Sequence, residues 1–253
     1  MATLAVIPSR LGATRLPRKP LRLVAGVPLV VRVWQRVREA HCCDRIVVAT
    51  DSDEVASALH EYGAEVVLTS PAHVSGTDRV AEVAERAEFR PYDVILNVQG
   101  DEPFLPTAGI AGVLALVASG RFALATLAVK AGPEVLERPE VVKVVAADNG
   151  EALYFSRAAI PFLRDSEDRC LRDAMVWRHV GLYGYRREAL LEWARLDEHP
   201  LERVERLEQL RVLAAGMRMG VYLLASPFPG GVDTEEDLQR ANQLWTNLYA
   251  ERY

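Results

Sequence analysis

The stretch Thr3-Leu-Ala-Val-Ile-Pro8-Ser-Arg-Leu-Gly-Ala-Thr-Arg-Leu-Pro-Arg-Lys-Pro20 joins the first predicted strand to the first candidate site. Its apolar beginning, Leu4–Pro8, is typical of a strand buried on both faces of a parallel sheet. The loop that follows carries Arg10, Arg15 and Lys19 but a single glycine, so it matches neither a Walker P-loop nor a GxGxxG motif. Because loops at the carboxyl ends of strands line the ligand crevice of an open α/β sheet, these cations are predicted to bind phosphate groups. A surface loop with solvated arginines is the alternative.

Strand and helix patterns alternate through the first half of the chain. Further strands are predicted at Arg45–Thr50, Glu65–Thr69 and Asp93–Gln99, and helices at Leu29–Ala40, Asp53–Tyr62 and Thr77–Ala87. The helices begin near capping or turn signals such as Asp51-Ser-Asp53 and Ser75-Gly-Thr-Asp78. This series predicts an open, mostly parallel α/β sheet with right-handed crossover connections.

The second half has a different pattern, in which strands follow one another with little predicted helix between them. The predicted elements are strands at Phe122–Val129, Val141–Ala147, Ala152–Phe155 and Val176–Arg186, a helix at Val204–Ala215, a strand at Met219–Leu224 and a final helix at 234–249. This pattern favours a mixed or antiparallel insertion. The prediction is therefore a single α/β domain over 1–253 with a smaller β-rich lobe.

Composition excludes several classes of function. Half of the residues are hydrophobic (50%) and 26% are charged, as in an ordinary globular protein. The formal net charge of −5 provides no basic field for a polynucleotide, so no nucleic-acid partner is predicted. The three cysteines form neither a metal-ligand spacing nor a disulfide framework, which indicates a reducing compartment. Without a leader pattern or an uncharged run near ~20 residues, the expected location is cytoplasmic, with no membrane partner.

Lysine is scarce in this chain. Of the 30 basic residues only three are lysines, at positions Lys19, Lys130 and Lys143. A lysine that persists in an arginine-rich chain is interpreted as one needed as a compact ammonium rather than as a planar fork. This interpretation favours a specific role for Lys19 in the basic loop.

A second motif, Asn97-Val-Gln-Gly-Asp-Glu-Pro103, stands at the end of the fourth predicted strand. Mg²⁺ prefers a few carboxylates together with substrate phosphates, so Asp101 is the predicted metal ligand. The alternation of side chains turns Glu102 away from Asp101, and Glu102 is not predicted to bind the metal. A turn capped by Asp101 is an equally good interpretation of this motif alone.

A third motif, Pro229-Gly-Gly-Val-Asp-Thr-Glu-Glu-Asp237, precedes the last predicted helix. Asp233, followed three residues later by Glu236, has the spacing of an N-terminal capping arrangement. The functional alternative is that Asp233 supplies a second carboxylate to the metal. The spacing alone does not choose between these interpretations.

Two polar clusters are typical of a site for an acidic sugar. Tyr154–Arg157 and Arg178–Tyr185 combine hydroxyl groups, guanidinium groups and an imidazole near strand ends. A carboxylate favours a bidentate arginine, whereas sugar hydroxyls favour Tyr, His, Gln and Glu. Glu205, Glu208 and Gln209 recur at helical spacing in the segment after them, although most such helix faces are simply solvated. The other histidines of the first half have no triad or metal spacing and are not predicted in a site: His41, His60 and His73.

Together these segments resemble the 3-deoxy-manno-octulosonate cytidylyltransferase (CMP-Kdo synthetase) family along nearly the whole chain. The resemblance is carried by IPSRLGATRLPRKPL, IVVATDSDEV, TSPAHVSGTDRVAEV, ILNVQGDEPFL, VVKVV, ALYFSRAAIP, RHVGLYGYR, LERVERLEQLR and GVDTEEDL. It implies a nucleotide-diphospho-sugar transferase-like α/β fold, Mg²⁺ as cofactor, and a homodimer. It also implies transfer of CMP from CTP to 3-deoxy-D-manno-octulosonate, with release of pyrophosphate, for lipopolysaccharide biosynthesis. On this resemblance the nucleotide-binding part is about 1–120, the sugar-binding and dimerisation part about 121–230, and the C-terminal helix 234–249.

The resemblance also implies roles for individual residues. Catalysis is assigned to Lys19, Arg10 and Asp101, and the metal to Asp101 and Asp233. Nucleotide binding is assigned to Arg10, Arg15, Lys19, Ser75 and Thr77. The residues implied in binding the sugar are Gln99, Arg157, His179, Tyr183, Glu205, Glu208 and Gln209.

Two departures from the family pattern stand out. Arg18 occupies a position where the family usually has glycine, which adds a charge and removes flexibility from the loop. The stretch Arg164–Val176 is short and charged. Neither departure removes a matched functional residue, but both bear on loop closure.

Two other functions remain open at this point. One is a cytidylyltransferase for another acidic sugar, such as a nonulosonate. The other is a nucleotide-binding regulatory protein that kept the fold and lost the chemistry, which the retention of Lys19, Asp101 and Asp233 disfavours.

Overall fold

The computed structural model describes residues 1–12, 15–73 and 75–249. The strands are β1 (Thr3–Ser9), β2 (Leu23–Val24), β3 (Val27–Pro28), β4 (Arg45–Thr50), β5 (Glu65–Leu68), β6 (Val94–Val98), β7 (Leu124–Lys130), β8 (Lys143–Ala146), β9 (Ala152–Ser156), β10 (Trp177–Arg186) and β11 (Met219–Leu224). The α-helices are α1 (Leu29–Glu39), α2 (Asp53–His60), α3 (Gly76–Glu85), α4 (Thr107–Ala118), α5 (Arg169–Ala174), α6 (Arg187–Arg195), α7 (Pro200–Glu205), α8 (Gln209–Ala214) and α9 (Glu235–Tyr249). The chain divides into two compact units, one formed by Met1–Ala111 with the C-terminal segment from Pro229, the other by Gly112–Phe228.

The first unit contains a parallel arrangement of strands in the order β6-β1-β4-β5. Every residue of β1 is buried, as its uninterrupted apolar sequence predicts. Two of the helices between the strands, α2 and α3, begin at side-chain caps. The Ser52 side chain accepts from Val55 N at the start of α2, and Ser75 forms a capping box with Asp78 at the start of α3. The predicted parallel βα series is confirmed, with boundaries within two residues of the prediction.

The second unit is a mixed β structure. Strand β7 lies between β10, which is antiparallel to it, and β11, which is parallel to it. Strands β8 and β9 pair antiparallel, and β8 also bonds to β10. The predicted β-rich lobe with mixed strand directions is therefore confirmed.

Two features of the predicted secondary structure are wrong. The helix expected at Val204–Ala215 is divided into α7 and α8, because Arg206 adopts the left-handed conformation (φ 53°, ψ 48°) that ends the first of them. The second half also contains more helix than predicted, including α6. Helix α4 was not predicted either. Its sequence is apolar almost throughout, so it lacks the helical periodicity of polar and apolar residues that marks an amphipathic helix.

In the described part of the chain, none of the helices combines the length and the apolar character that crossing a membrane requires.

Candidate active site

The carboxyl ends of β1 and β6 open onto a cleft in the first unit. Gly100 allows this close approach, because a Cβ atom there would lie 3.0 Å from the main-chain oxygen of Pro8. The cleft has a volume of about 340 Å³. It is lined by Pro8, Ser9, Arg10, Gly12, Arg15, Leu16, Lys19, Pro20, His73, Ser75, Gly76, Arg79, Gln99, Gly100, Asp101 and Asp233.

Lys19 is the centre of the charged group in this cleft. Its Nζ atom donates to Asp101 Oδ2 and, at 2.9 Å, to Asp233 Oδ1. Arg15 Nη2 lies 3.1 Å from the other oxygen of Asp233, Oδ2. Burial alone would lower the pKa of Lys19, but attraction to Asp101 and Asp233 outweighs it and raises the pKa above its ordinary value. Lys19 is therefore a fixed positive charge shared by two carboxylates.

The C-terminal segment carries Asp233 to this position. Val232 N donates to the main-chain oxygen of Asp101 at 2.9 Å, which fixes the segment beside the loop after β6. Helix α9 is held to the beginning of the chain by Arg22, whose Nη2 bonds both carboxylate oxygens of Glu235 at 2.8 and 2.9 Å. Lys19 thus forms an ion pair with a residue 214 positions later in the sequence.

The interpretation of Asp233 as a capping residue paired with Glu236 is wrong. At the start of α9, Thr234 Oγ1 accepts from Asp237 N at 3.2 Å, and Asp237 Oδ2 accepts from the main-chain N–H groups of Asp233 and Thr234, each at 3.1 Å. These contacts perform the capping that the sequence left open. The carboxylate of Asp233 is consequently directed to Lys19 and Arg15.

The donor set suits a magnesium ion bound together with phosphate. Asp101 and Asp233 already converge on one small cation, the Lys19 ammonium. The described residues contain no group of three or more His, Cys, Asp or Glu side chains arranged to hold a metal. An ion at the two aspartates would therefore need phosphate or water oxygens to complete its shell, as Mg²⁺ commonly does.

The other predicted nucleotide-binding residues differ in position. Arg10 is exposed at the cleft, and among the described residues it has no ion-pair partner. Ser75 lines the cleft while its hydroxyl accepts from Asp78 N at 3.0 Å. Thr77 is 3% exposed and lies outside the cleft lining. The basic loop and Ser75 are thus brought together, whereas Thr77 is buried in the first turn of α3, outside the cleft lining.

Three polar side chains of the cleft were not predicted in a site: Ser9, His73 and Arg79. For His73 the sequence analysis excluded a site, and that prediction is wrong, because His73 belongs to the cleft lining. The Ser9 hydroxyl is buried, and among the described residues it has no hydrogen-bond partner. Arg79 is buried and pairs with Asp51 at 2.9 Å, while its Nη1 donates to Thr69 Oγ1. His73 Nε2 lies 2.6 Å from Glu82 Oε2. Ser9 directly follows the first predicted strand core, which was a usable signal; the partners of the other two become adjacent only on folding.

The second unit gathers another predicted group around the turn between α7 and α8. Glu205 accepts from Ser156 Oγ at 2.7 Å and from Arg157 N at 2.9 Å. The Arg157 guanidinium donates to the main-chain oxygens of Glu205, Pro139 and Arg206 at 2.7, 3.0 and 3.3 Å. In this conformation Arg157 and Glu205 join the end of β9 to the turn.

A neighbouring buried cluster contains His179, Tyr183 and Gln209. Burial, reinforced by the charge of Arg178, lowers the pKa of His179 to about 3, so its ring is neutral at pH 7. Its Nε2 lies 2.9 Å from Thr126 Oγ1, and Tyr183 OH donates to Gln209 Oε1 at 3.3 Å. Burial and, to a lesser extent, Tyr185 and Glu208 raise the pKa of Tyr183. Gln209 Nε2 is buried without a partner among the described residues, a donor that a bound polar molecule could satisfy.

Of the residues implied in sugar binding, six lie in the second unit and Gln99 lies in the cleft of the first. The six are Arg157, His179, Tyr183, Glu205, Glu208 and Gln209. Their roles toward a ligand stay predictions.

A parallel α/β unit in which a basic loop faces two carboxylates defines a nucleotidyltransferase type of protein. The fold agrees with a solved putative glucose-1-phosphate thymidylyltransferase from Bacillus anthracis, with a TM-score of 0.66 at 16% identity over 96% of this chain and 95% of that one. A solved CMP:2-keto-3-deoxy-manno-octonic acid synthetase complexed with CTP is much more similar: the TM-score is 0.90 at 34% identity, over 98% of this chain and 99% of that one.

Sequence comparison gives the family. Residues 4–219 match the cytidylyltransferase family. A 3-deoxy-manno-octulosonate cytidylyltransferase of Gemmatimonas aurantiaca is 56% identical over 99% of this chain and 96% of its own length. The enzyme of the same description from Polynucleobacter asymbioticus is 45% identical over 96% of each. The chain belongs to the 3-deoxy-manno-octulosonate cytidylyltransferase family, as the sequence resemblance predicted.

Proposed function

We propose that this protein transfers CMP from CTP to 3-deoxy-D-manno-octulosonate and releases pyrophosphate, a step that supplies lipopolysaccharide biosynthesis. The observation that carries the proposal is the cleft in which Lys19, Arg15, Asp101 and Asp233 meet at the carboxyl ends of β1 and β6. Membership of the family and the likeness to a CTP-bound structure support CTP as the nucleotide.

The reaction joins the anomeric oxygen of the sugar to the α-phosphorus of CTP. The bond from that phosphorus to the bridging oxygen breaks, pyrophosphate leaves with the electron pair, and the sugar hydroxyl loses its proton. The protein contributes mainly position and charge, because little covalent chemistry is required of its side chains. Lys19, Arg10 and Arg15 stabilise the charge on the triphosphate and on the departing pyrophosphate.

Asp101 and Asp233 are the residues that would hold Mg²⁺, the cofactor that the family resemblance implies. When bound, Mg²⁺ supplies charge neutralisation at the phosphate oxygens and lowers the pKa of a hydroxyl close to it. Phosphates also compete for Lys19, whose ammonium both aspartates share in this structure. Release of Lys19 toward the phosphates would leave both carboxylates available to the cation.

The polar group of the second unit supports an acidic sugar as acceptor. His179 is neutral and the Tyr183 hydroxyl stays protonated, so both offer hydrogen bonds rather than charge to sugar hydroxyls. Arg157 is the cation assigned to the sugar carboxylate, and it would have to exchange main-chain contacts for that carboxylate. The homodimer is a further proposal that rests on the family resemblance, and light scattering of the purified protein tests it. The cytoplasmic location is a proposal that rests on the cysteine pattern, which indicates a reducing compartment.

The test is pyrophosphate release from CTP and Mg²⁺, with the octulosonate and a nonulosonate supplied separately. We expect release with the octulosonate alone. Pyrophosphate release only with the nonulosonate would show that the acceptor sugar is a nonulosonate. No release with either sugar would favour the nucleotide-binding regulatory protein as the alternative. Asp101→Asn should reduce turnover by at least about a hundredfold while circular dichroism stays unchanged, since a ligand charge is lost without a change of shape; near-normal turnover would contradict the role of Asp101.

A further inference from the structure

His73 occupies the cleft without a role in the proposed chemistry. Its side chain is 21% exposed and belongs to the cleft lining, beside Ser75 and Gly76. Its ring is not free to turn, because Nε2 lies 2.6 Å from Oε2 of Glu82 on α3. One ring nitrogen is therefore committed to the protein, and Nδ1 is the nitrogen left for a molecule in the cleft.

The contacts of Glu82 decide which nitrogen carries the proton. Glu82 Oε2 also accepts from Ser70 N at 2.9 Å, and Oε1 accepts from Arg86 Nη2 at 2.7 Å. Burial disfavours the charged form, but these contacts outweigh it and lower the pKa of Glu82 to about 2. An ionised carboxylate only accepts, so Nε2 of His73 must be the donor. In the neutral ring Nδ1 is then an acceptor.

The position of His73 in the cleft suits the uncharged end of a nucleotide. The phosphate-binding cations Arg10, Arg15 and Lys19 all belong to the loop after β1. A separate wall of the cleft is formed by His73 and the first residues of α3, where the cation in the lining is Arg79, and Arg79 is engaged with Asp51 and Thr69. We therefore expect the triphosphate to bind at the basic loop and the base to bind at the wall that contains His73.

We propose that His73 recognises the base of CTP, and that Glu82 positions the imidazole so that Nδ1 accepts a hydrogen bond from the exocyclic amino group of cytosine. Uracil carries a carbonyl oxygen where cytosine carries that amino group, so an acceptor at this place favours CTP and opposes UTP. His73 is a specificity residue, and Glu82 is a positioning residue that acts through it. The inference rests on the proposed function, because it assigns the base of the same nucleotide.

Two substitutions of His73 separate its two nitrogens. In His73→Gln the amide nitrogen can replace Nε2 and keep the bond to Glu82, but nothing replaces Nδ1. In His73→Asn the amide oxygen can replace Nδ1, and the bond to Glu82 is lost. Glu65→Gln is the matched control, because Glu65 at the start of β5 also makes an ion pair with an arginine, Arg45 at the start of β4, and is absent from the cleft lining.

The experiment measures CTP and UTP affinity by titration calorimetry, together with KM and kcat for pyrophosphate release. His73→Gln should weaken CTP binding by roughly tenfold and change kcat by less than about twofold, as expected for one lost hydrogen bond to the base. UTP binding should not weaken and should become tighter to the extent that Nδ1 repels the uracil carbonyl oxygen. His73→Asn should keep most of the preference for CTP. Glu82→Gln should weaken CTP binding in the same direction, and adding it to His73→Gln should cause no further loss.

The inference is overturned if His73→Gln binds CTP as tightly as the wild type, or loses CTP and UTP affinity equally, which a purely structural role would produce. Turnover of CTP and the octulosonate with no effect of His73→Gln would overturn this inference alone. A wild-type protein that binds CTP in preference to UTP but turns over no sugar would overturn the proposed function, while the binding data still decide the role of His73. A wild type that does not bind CTP overturns both.

Discussion

Replacement of Lys19 by methionine tests whether the cleft is built around a shared cation. Met keeps the length of the side chain and removes the ammonium that Asp101 and Asp233 share. Two carboxylate oxygens that each lay within one hydrogen bond of the same nitrogen are no more than about 6 Å apart. Without the ammonium they repel each other, and Arg15 compensates only Asp233.

The expected magnitude follows from the exposure of these groups. Lys19 is 18% exposed, Asp101 26% and Asp233 45%, so solvent screens the pair in part. The lost charge-assisted contacts are worth about 2 kcal/mol after that screening, and the new repulsion adds about 1 kcal/mol. Burial of the methionine side chain offsets about 1 kcal/mol. The net loss of about 2 kcal/mol corresponds to a decrease in Tm of roughly 4–8 °C.

Magnesium should reverse this loss. In the wild type an incoming ion competes with Lys19 for the two aspartates, whereas in Lys19→Met it meets them unopposed. At about 100 times its Kd, Mg²⁺ stabilises the folded state by about 2.7 kcal/mol, enough to restore the variant. Thermal unfolding with and without Mg²⁺ measures both effects. Lys130→Met is the control, because among the described residues the contacts of the Lys130 ammonium are the main-chain oxygens of residues 173 and 174 and an aromatic ring, with no carboxylate.

A Lys19→Met protein that unfolds at the wild-type temperature without metal would show that the ammonium does not hold the two carboxylates together. An increase in the Tm of Lys19→Met with Mg²⁺ that is no larger than that of the wild type or of Lys130→Met would also contradict the prediction. The measurement does not require turnover, so it tests the cluster independently of the sugar.

Three other predictions follow from single residues. Ser9→Ala removes a buried hydroxyl that has no partner among the described residues, so the free energy of unfolding should change by less than about 1 kcal/mol. We expect the hydroxyl to bind the nucleotide, so calorimetry should show several-fold weaker CTP binding. Unchanged CTP affinity would exclude that contact. The pKa of His179 is about 3 in the folded protein and near 6.5 in the unfolded chain, so between these pH values only the unfolded state binds the proton. The free energy of unfolding should therefore fall as the pH decreases from about 6.5 toward 3, by up to about 1.4 kcal/mol per pH unit. His179→Gln should flatten that slope in denaturant titrations. Arg18 has a φ of 58° and pairs with Glu54. Arg18→Gly and Arg18→Ala both lose the ion pair, but only alanine keeps the strain of the left-handed conformation, so the glycine variant should be about 1 kcal/mol more stable. Equal Tm values of the two variants would contradict this.

Much of the fold could be predicted because its signals are local. Strand β1 is a continuous apolar run, and Ser52 and Ser75 mark the starts of α2 and α3 within a few residues of sequence. The break at Arg206 could not be predicted in this way. Arginine has no preference for the left-handed conformation, and its main-chain oxygen is held there by Arg157, nearly 50 residues earlier.

The candidate site was predictable where chemistry follows a strand end, and not where it depends on a distant partner. Lys19 belongs to the loop that follows β1, and Asp101 to the loop that follows β6. For Asp233 the sequence offered two partners, and only the folded chain shows that Asp237 takes the capping role. The residues next to His73 in the sequence give no sign of a hydrogen-bond partner. Its partner, Glu82, is nine residues later on α3 and comes within hydrogen-bond distance only in the folded chain.

The retained lysines make this protein unusually selective toward amine chemistry. The Lys143 ammonium is buried and donates to the main-chain oxygens of residues 138, 141 and 157, and that of Lys130 is bonded to two more. Lys19 is the lysine whose ammonium faces an open cleft. Because its pKa is raised, Lys19 has to be labelled at alkaline pH, where part of the ammonium is deprotonated. Under those conditions a nucleotide-derived dialdehyde has one side-chain amine as its target in the cleft, and mass spectrometry of the label would count unoccupied active sites in a population of molecules. The scarcity of lysine, which indicates where a compact ammonium is needed, thus also leaves the cleft with a single lysine for chemical labelling.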